Sequence, residues 1–353
     1  MNRIRVLVVE DSAFMRRIIS DIVNEHSEME VIATARDGVD ALGKIKKDCP
    51  DVVTMDLEMP RLDGIKTLQR LMAEDPLPVI MLSTHTRVGS EVTLKALDAG
   101  AVDIIAKPSL NISGSGEGSV EELKNVLPQK IKAAASAQVS LITTEKPGPA
   151  MAAKNLQPKR REEEARVIIA IGASTGGPKA LEGVFNRLPA NLPATILLSQ
   201  HMPPGFTLSF AQRLDMISPL RVKEAENGDP LLKGLALVAP GGFHMIVKNG
   251  KVQLDTGPRV NFVRPAIDVM YESLLECEQK VLVVIMTGMG KDGTAGTVAL
   301  KKKKKDTIVI VQEPESALIP SMPAAIIKAG LCDARVPLEK LASEIDRYTG
   351  VLI

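Results

Sequence analysis

The chain reads as an α/β protein built from two doubly wound, mainly parallel sheets joined by a tether. Three observations predict this. Short runs rich in Val and Ile alternate with amphipathic helical segments from residue 4 to about residue 108, and again after residue 166. Between about Ser136 and Ala165 the periodicity is lost, Pro147-Gly148-Pro149 breaks any helix, and Lys159-Arg160-Arg161 meets Glu162-Glu163-Glu164. The length of 353 residues suits two domains, and 45% apolar residues suffice for two cores. The boundaries expected are 1–135, a flexible linker over 136–165, and 166–353.

In the first half, Ile4–Val9 reads as a buried strand ending at Glu10-Asp11-Ser12. A helix follows, capped by Asp11 or Ser12, with Phe14, Ile18, Ile19, Ile22 and Val23 on one face. Val31–Ala35, Val52–Met55, Val79–Leu82 and Val102–Ile105 are the next strands. Val39–Lys47, Gly64–Met72 and Val92–Ala99 are the helices between them, the last stopped by Gly100. Asn111–Ser119 reads as a loop before a closing helix near Val120–Ala135.

Polar residues stand at the carboxyl ends of these strands, where open parallel sheets keep their sites. Glu10 and Asp11 follow the first strand, Asp56 the third, Ser83 and Thr84 the fourth, and Lys107 the fifth. Three carboxylates in one crevice repel unless a cation joins them, and an oxygen-only set suits Mg²⁺. Taken singly, each is also a plausible solvated loop residue.

The stretches VVEDSAFMRR, MDLEMPRLDG, VIMLST and AKP resemble response-regulator receiver domains over roughly residues 1–125. The resemblance implies that Asp56 is the phospho-acceptor, with Glu10, Asp11 and Asp56 binding Mg²⁺. It also implies that Ser83, or its neighbour Thr84, is the switch hydroxyl and that Lys107 is the phosphate partner. Ile104 stands where many receivers carry an aromatic switch residue.

In the second half, Val167–Ile171 reads as a buried strand, followed by Gly172-Ala173-Ser174-Thr175-Gly176-Gly177 and a helix opened by Pro178. A serine on a glycine turn before a helix N-terminus has an exposed hydroxyl and N–H donors behind it, as an acyl-transfer nucleophile needs. The same turn also serves as a helix cap or a phosphate cradle. Ala194–Leu198 is a strand leading to His201, and Met202-Pro203-Pro204-Gly205 a rigid loop before a helix over Phe206–Leu214. Leu235–Val238 is a strand, and Asn249-Gly250 joins His244–Val247 to Val252–Leu254 as a hairpin. Ile267–Cys277 is helical, Val281–Met286 is a strand, and Asp292 lies in the glycine turn behind it. A helix to about Lys304, a strand over Thr307–Val311 and a helix over Pro323–Ala329 complete the pattern.

Ser174, His201 and Asp292 thus each follow a separate apolar run, and neighbouring strand ends bring them within reach as nucleophile, base and orienting acid. Asp229, Asp255 and Asp268 are rival acids, but only Asp292 lies in a glycine turn at a strand end. His244, at the start of a hairpin strand, reads as structural.

The order Ser…His…Asp differs from that of ordinary α/β-hydrolases. With GASTGGPKAL, SQHMPPGFT, VAPGGFHM, RPAIDV and MTGMGKDG in that order, the second half resembles the chemotaxis protein-glutamate methylesterases. The resemblance implies Ser174 as nucleophile, His201 as general base and Asp292 as its orienting acid, with Thr175 and the Met289 amide supporting the transition state. It implies a phosphorylation-activated enzyme that hydrolyses glutamate γ-methyl esters on chemoreceptor helices, deamidates receptor glutamines and needs no cofactor for the ester reaction. Its partners are then methylated chemoreceptors and a chemotaxis histidine kinase. Ala266, Ser321 and the run Lys301–Lys305 depart from the family's usual pattern. The lysines offer a surface for acidic receptor or simply suit a helix C-terminus.

Composition narrows the partners. A net charge of +1 exerts no global pull on nucleic acid, and 2% aromatic residues with no Trp leave no base-stacking platform. The three scattered cysteines read as reduced core thiols. No apolar run of about 18 residues is present. A cytoplasmic protein without membrane insertion is expected.

Overall fold

The β-branched runs of the first half are too short for stable helices and too apolar for loops, and they pair with one another. The computed structural model describes residues 3–83, 87–108, 119–137 and 163–353. The chain divides into two compact units, Met1–Thr144 and Glu145–Ile353. Most of the expected linker, the loop over 111–118 and Thr84 lie outside the described residues.

The first unit alternates β1 (Ile4–Val9), α1 (Ala13–Asn24), β2 (Met29–Ala35), α2 (Gly38–Asp48), β3 (Val52–Asp56), α3 (Gly64–Glu74), β4 (Val79–Ser83), α4 (Arg87–Asp98), β5 (Asp103–Ala106) and α5 (Val120–Ala135). Its five strands form one parallel sheet in the order β2-β1-β3-β4-β5. The chain reverses direction across the sheet between β1 and β3, so a crevice opens at their carboxyl ends. Ser12, Asp37, Asp63 and Ser119 cap α1, α2, α3 and α5 with their side chains.

Two expectations need correction. Phe14 is 58% exposed, whereas Met15, Ile19, Ile22 and Val23 form the buried stripe of α1. At 100° per residue Phe14 sits roughly 120° round the helix from the centre of that stripe. Cys49 is exposed, not core, because it terminates α2 in the left-handed region at φ 46°.

The second unit continues with β6 (Val167–Ala173), α6 (Gly177–Phe185), β7 (Thr195–Gln200), α7 (Phe206–Ile217), β8 (Arg221–Glu224), β9 (Leu235–Val238), β10 (His244–Lys248) and β11 (Lys251–Asp255). Then come α8 (Ile267–Ser273), β12 (Lys280–Ile285), α9 (Thr294–Lys303), β13 (Ile308–Gln312), α10 (Ser321–Lys328), β14 (Ala334–Val336) and α11 (Leu341–Leu352). Seven strands form a parallel sheet in the order β14-β13-β12-β6-β7-β9-β8, and β10 and β11 pair as the expected antiparallel hairpin. All seven residues of β6 are buried, as the central strand of a sheet covered on both faces requires. Here the reversal falls between β6 and β12. The fold thus places the ends of β12, β6 and β7 side by side.

Candidate active site

Ser174 lies one residue past β6, on a turn closed by the Gly177 N–H donating to the Ser174 carbonyl at 2.8 Å. Gly176, at φ +77°, provides the left-handed step into α6 that a side chain would resist. His201 lies one residue past β7, and its N–H donates to the Ala173 carbonyl at 3.1 Å. Asp292 lies in the turn that joins β12 to α9.

The three side chains meet. His201 Nδ1 is 3.1 Å from Ser174 Oγ, and His201 Nε2 is 2.8 Å from Asp292 Oδ2. Ser174 and Asp292 are buried, at 6% and 4% exposure. The Ile267 N–H donates to Asp292 Oδ2 at 2.7 Å, and the Asp268 and Gly293 N–H groups donate to Oδ1 at 3.0 and 3.1 Å. Burial pushes the Asp292 carboxyl up, but His201 and these amides outweigh it and bring it down to about 2. A carboxylate accepts only, so the neutral imidazole carries its proton on Nε2. That leaves the Nδ1 lone pair facing the serine hydroxyl, the arrangement of a general base beside its nucleophile.

Several further groups surround this constellation, and two of them, Gln200 and Thr287, were not singled out by the sequence reading. Gln200 is fully buried, and its Nε2 donates to the carbonyls of Ser174 at 2.9 Å and His201 at 3.2 Å, tying the two turns together. Thr287 Oγ1 donates to the Thr175 carbonyl at 2.9 Å and accepts from the Ile319 N–H at 2.9 Å. The Asp268 side chain accepts from the Gly296 N–H at 2.7 Å, fixing the first turn of α9. Burial, together with the neighbouring Asp292 charge, raises the Asp268 carboxyl to about 6. His244, expected to be structural, is buried; its Nδ1 accepts from the Ala266 N–H at 3.1 Å, and its Nε2 is 3.0 Å from the Pro258 carbonyl oxygen. Thr175 is buried next to Ser174, and Met289 is half-buried in the turn before Asp292.

A second cluster lies in the first unit. Glu10, Asp11 and Asp56 offer carboxylate oxygens that all lie within 4.8 Å of one another. Glu10 and Asp56 are buried and Asp11 is exposed. Lys107 Nζ lies 2.8 Å from Glu10 Oε2 and 2.7 Å from Asp56 Oδ2. The Glu58 N–H donates to Asp56 Oδ1 at 3.2 Å, and the Lys107 N–H donates to the Ser83 carbonyl at 2.7 Å. Burial raises the carboxyls of Glu10 and Asp56 despite the lysine beside them. Burial alone would lower the Lys107 ammonium, but the two carboxylates hold it raised. Three hard oxygen donors with negative charge left uncompensated fit a divalent cation such as Mg²⁺.

Comparison with known proteins joins the two units. Residues 169–345 match a family described as CheB methylesterase, and residues 6–112 match the response regulator receiver domain. The chain is 44% identical over 358 residues to the protein-glutamate methylesterase/protein-glutamine glutaminase of Symbiobacterium thermophilum, covering 98% of this chain and 97% of that one. The protein of the same name from Pyrococcus abyssi is 45% identical, covering 98% and 93%. That from Geobacillus kaustophilus is 44% identical, covering 99% and 100%.

Proposed function

The chain belongs to the CheB methylesterase family and carries a receiver domain ahead of its methylesterase domain; on that premise we propose that it hydrolyses glutamate γ-methyl esters on chemoreceptor helices under the control of Asp56 phosphorylation. The observation that carries the chemistry is His201 bridging Ser174 Oγ and Asp292 Oδ2.

In this reading Ser174 Oγ attacks the ester γ-carbonyl while His201 Nδ1 takes its proton. The oxyanion that forms is met by donors at the Met289 amide and the turn around Thr175. Collapse breaks the bond to the methoxy oxygen. The imidazolium returns its proton to that oxygen, methanol leaves, and Ser174 holds the acyl group. Water, deprotonated by the same nitrogen, then releases glutamate and restores the serine. Asp292 holds Nε2–H in place and offsets the imidazolium charge in both halves. A glutamine at the same position yields ammonia by the same steps, which supports deamidation at one site.

Glu10, Asp11 and Asp56 would hold Mg²⁺, which offsets negative charge on an incoming phosphoryl group. Lys107 Nζ is poised to pair with a phosphoryl group on Asp56, and Ser83, with Thr84 beside it, supplies a hydroxyl at the end of the fourth strand. A chemotaxis histidine kinase is the phosphodonor in this reading, and phosphorylation relieves inhibition by the receiver. The enzyme works in the cytoplasm, where receptor helices bearing these esters lie. Among the described residues no helix is long and apolar enough to cross a membrane.

The test is methanol release from methylated chemoreceptor membranes, with and without a small-molecule phosphodonor. Release that disappears in Ser174→Ala, and that responds to phosphodonor only with Asp56 intact, is the expected result. Release insensitive to Ser174→Ala would exclude this nucleophile.

A further inference from the structure

We propose that Gln200 is a positioning residue for the hydrolysis, its side-chain amide fixing the distance between the Ser174 hydroxyl and the His201 imidazole. The proposal deepens the reading above and rests on its assignment of Ser174 as nucleophile and His201 as base.

β6 and β7 pair in parallel from Ile168 opposite Thr195 to Ala173 opposite Gln200. The His201 N–H, donating to the Ala173 carbonyl at 3.1 Å, closes that pairing. Beyond it the strands part into separate turns, and the next residues are the two that must react. Backbone pairing therefore positions the chain up to the site but not across it. There the Gln200 side chain takes over. Its Nε2 donates to the Ser174 carbonyl at 2.9 Å and to the His201 carbonyl at 3.2 Å, so one nitrogen holds both residues.

Other bonds fix each residue within its own turn. The Ser174 N–H donates to the Thr287 carbonyl at 3.0 Å, and the Ser174 carbonyl accepts a second bond from the Gly177 N–H at 2.8 Å. His201 Nε2 is 2.8 Å from Asp292 Oδ2. With these in place, the 3.1 Å between Ser174 Oγ and His201 Nδ1 depends on how far apart the two turns stand. That distance is close to the limit at which a base takes a proton directly, so the spacing has little slack.

The chemistry of the group agrees. Two carbonyl oxygens call for two N–H donors, and a primary amide nitrogen supplies both without a charge. A carboxylate would set further oxygens against them, and an apolar chain would offer nothing. This orientation leaves Gln200 Oε1 buried with no hydrogen-bond partner among the described residues, which costs stability. Gly177 leaves the room for it: a Cβ there would stand 2.0 Å from Oε1. Gln312, buried at the end of β13, uses both ends of its amide. Its Oε1 accepts from the Thr287 N–H at 2.8 Å and its Nε2 donates to the Ser316 carbonyl at 2.8 Å. Gln200 instead gives both donated bonds to the two reacting residues and leaves its own acceptor unpaired.

The experiment compares full-length wild type, Gln200→Met, Gln200→Glu and Ser174→Ala, with phosphodonor present. Circular dichroism gives the folded fraction. Then kcat per folded chain and KM are read for methanol release from methylated receptor membranes and for p-nitrophenyl acetate. Methionine has the length of glutamine and no donor. Gln200→Met should lose about 100-fold in kcat on both substrates with KM within about threefold, the loss that a misplacement of roughly 1 Å brings. Gln200→Glu separates donation from shape. Protonated, it still gives one O–H to a carbonyl; ionised, it turns oxygens toward both. Burial among carbonyls holds that carboxyl above its ordinary value, so the ratio of its kcat to that of wild type should fall about tenfold from pH 6 to pH 8. A side chain that only fills space leaves the ratio flat.

Wild-type kcat per folded chain in Gln200→Met overturns the proposal, as does a flat ratio in Gln200→Glu. A loss confined to the receptor substrate assigns the residue to receptor binding and overturns it as well. If Gln200→Met does not fold, the ratio for Gln200→Glu decides alone. Ser174→Ala that cleaves the small ester at the wild-type rate removes the nucleophile, and this proposal with it. Wild type that releases no methanol, while Ser174→Ala abolishes cleavage of the small ester, removes the receptor reading alone; the loss in Gln200→Met on that ester then upholds the proposal.

Discussion

Asp292 and Asp268 are neighbouring buried carboxyls with opposite burdens. Asp292 takes three backbone N–H groups and His201, whereas Asp268 takes the Gly296 N–H. With Asp292 at about 2, it stays ionised wherever the enzyme works, and no loss of activity above pH 4 traces to it. Replacing it with Asn keeps the shape and removes the charge that fixes the Nε2–H form. Asp292→Asn should lower kcat by about 10⁴-fold with the fold intact, as checked by turnover and circular dichroism. Asp268, raised to about 6, carries the opposite linkage. Between its unfolded value near 3.9 and about 6 the folded chain binds more protons than the unfolded one, so stability falls as pH rises through that window. Asp268→Asn should flatten that slope, read as melting temperature against pH from 4 to 7. An unchanged slope would place the titration elsewhere. Ser174, His201 and Asp292 were legible in the sequence because each ends or follows an apolar strand. Gln200 and Thr287 were not, and Asp268 was named only as a rival to Asp292. Their roles exist only through partners 26, 112 and 28 residues away, and nothing local in the sequence marks such pairs.

At the scale of elements, the turn between β12 and α9 is the one that binds the site together. Gly288 comes so close that an added Cβ would meet Met322 Sδ at 2.2 Å and Ser174 Cβ at 2.8 Å. Met322 is fully buried and the Ser174 backbone N–H is held by the Thr287 carbonyl at 3.0 Å, so both neighbours are confined. Gly288→Ala should therefore cost about 1–3 kcal/mol of stability by overpacking and shift Ser174 off the His201 nitrogen. Turnover should drop at least tenfold, measured with a chemical-denaturation curve on the same sample; full turnover would show that the pocket yields. The run Lys301–Lys305 also resolves at this scale. Lys301 and Lys303 pair with Asp333 and Glu276, and Lys304 Nζ donates to the Cys277 carbonyl at 2.6 Å, so three of the five lysines engage the chain itself. This agrees with a helix C-terminus reading of their charge. The elements absent from the sequence reading are β8, β14 and α11. The two strands have four and three residues and lie at the sheet edges, too short for any period to show. Elsewhere alternating apolar runs led to the right strands, because strands buried on both faces are continuous apolar stretches.

Each unit gathers one cluster of polar side chains, and both clusters lie where the strand order reverses. That shared placement explains why both clusters could be expected from strand ends alone, whereas any communication between them could not. Communication depends on how the units meet, which no local pattern encodes. If receiver phosphorylation relieves inhibition, two perturbations must diverge. Removing residues 1–135 takes away the inhibitor and should raise the basal rate of methanol release, with no further response to phosphodonor. On the proposed reading, chelating divalent cations in the full chain acts on the cluster of Glu10, Asp11 and Asp56, while the Ser174 reaction draws on side chains and water. It should abolish phosphodonor stimulation and leave the basal rate within twofold, and added Mg²⁺ should restore the response. The deciding comparison is the chelated full chain against the truncated one on the same receptor membranes. A lower rate in the truncated chain would make the receiver an activator in its own right. A chelator that removes basal release as well would put a cation in the ester chemistry, and the division of labour between the units would have to be redrawn.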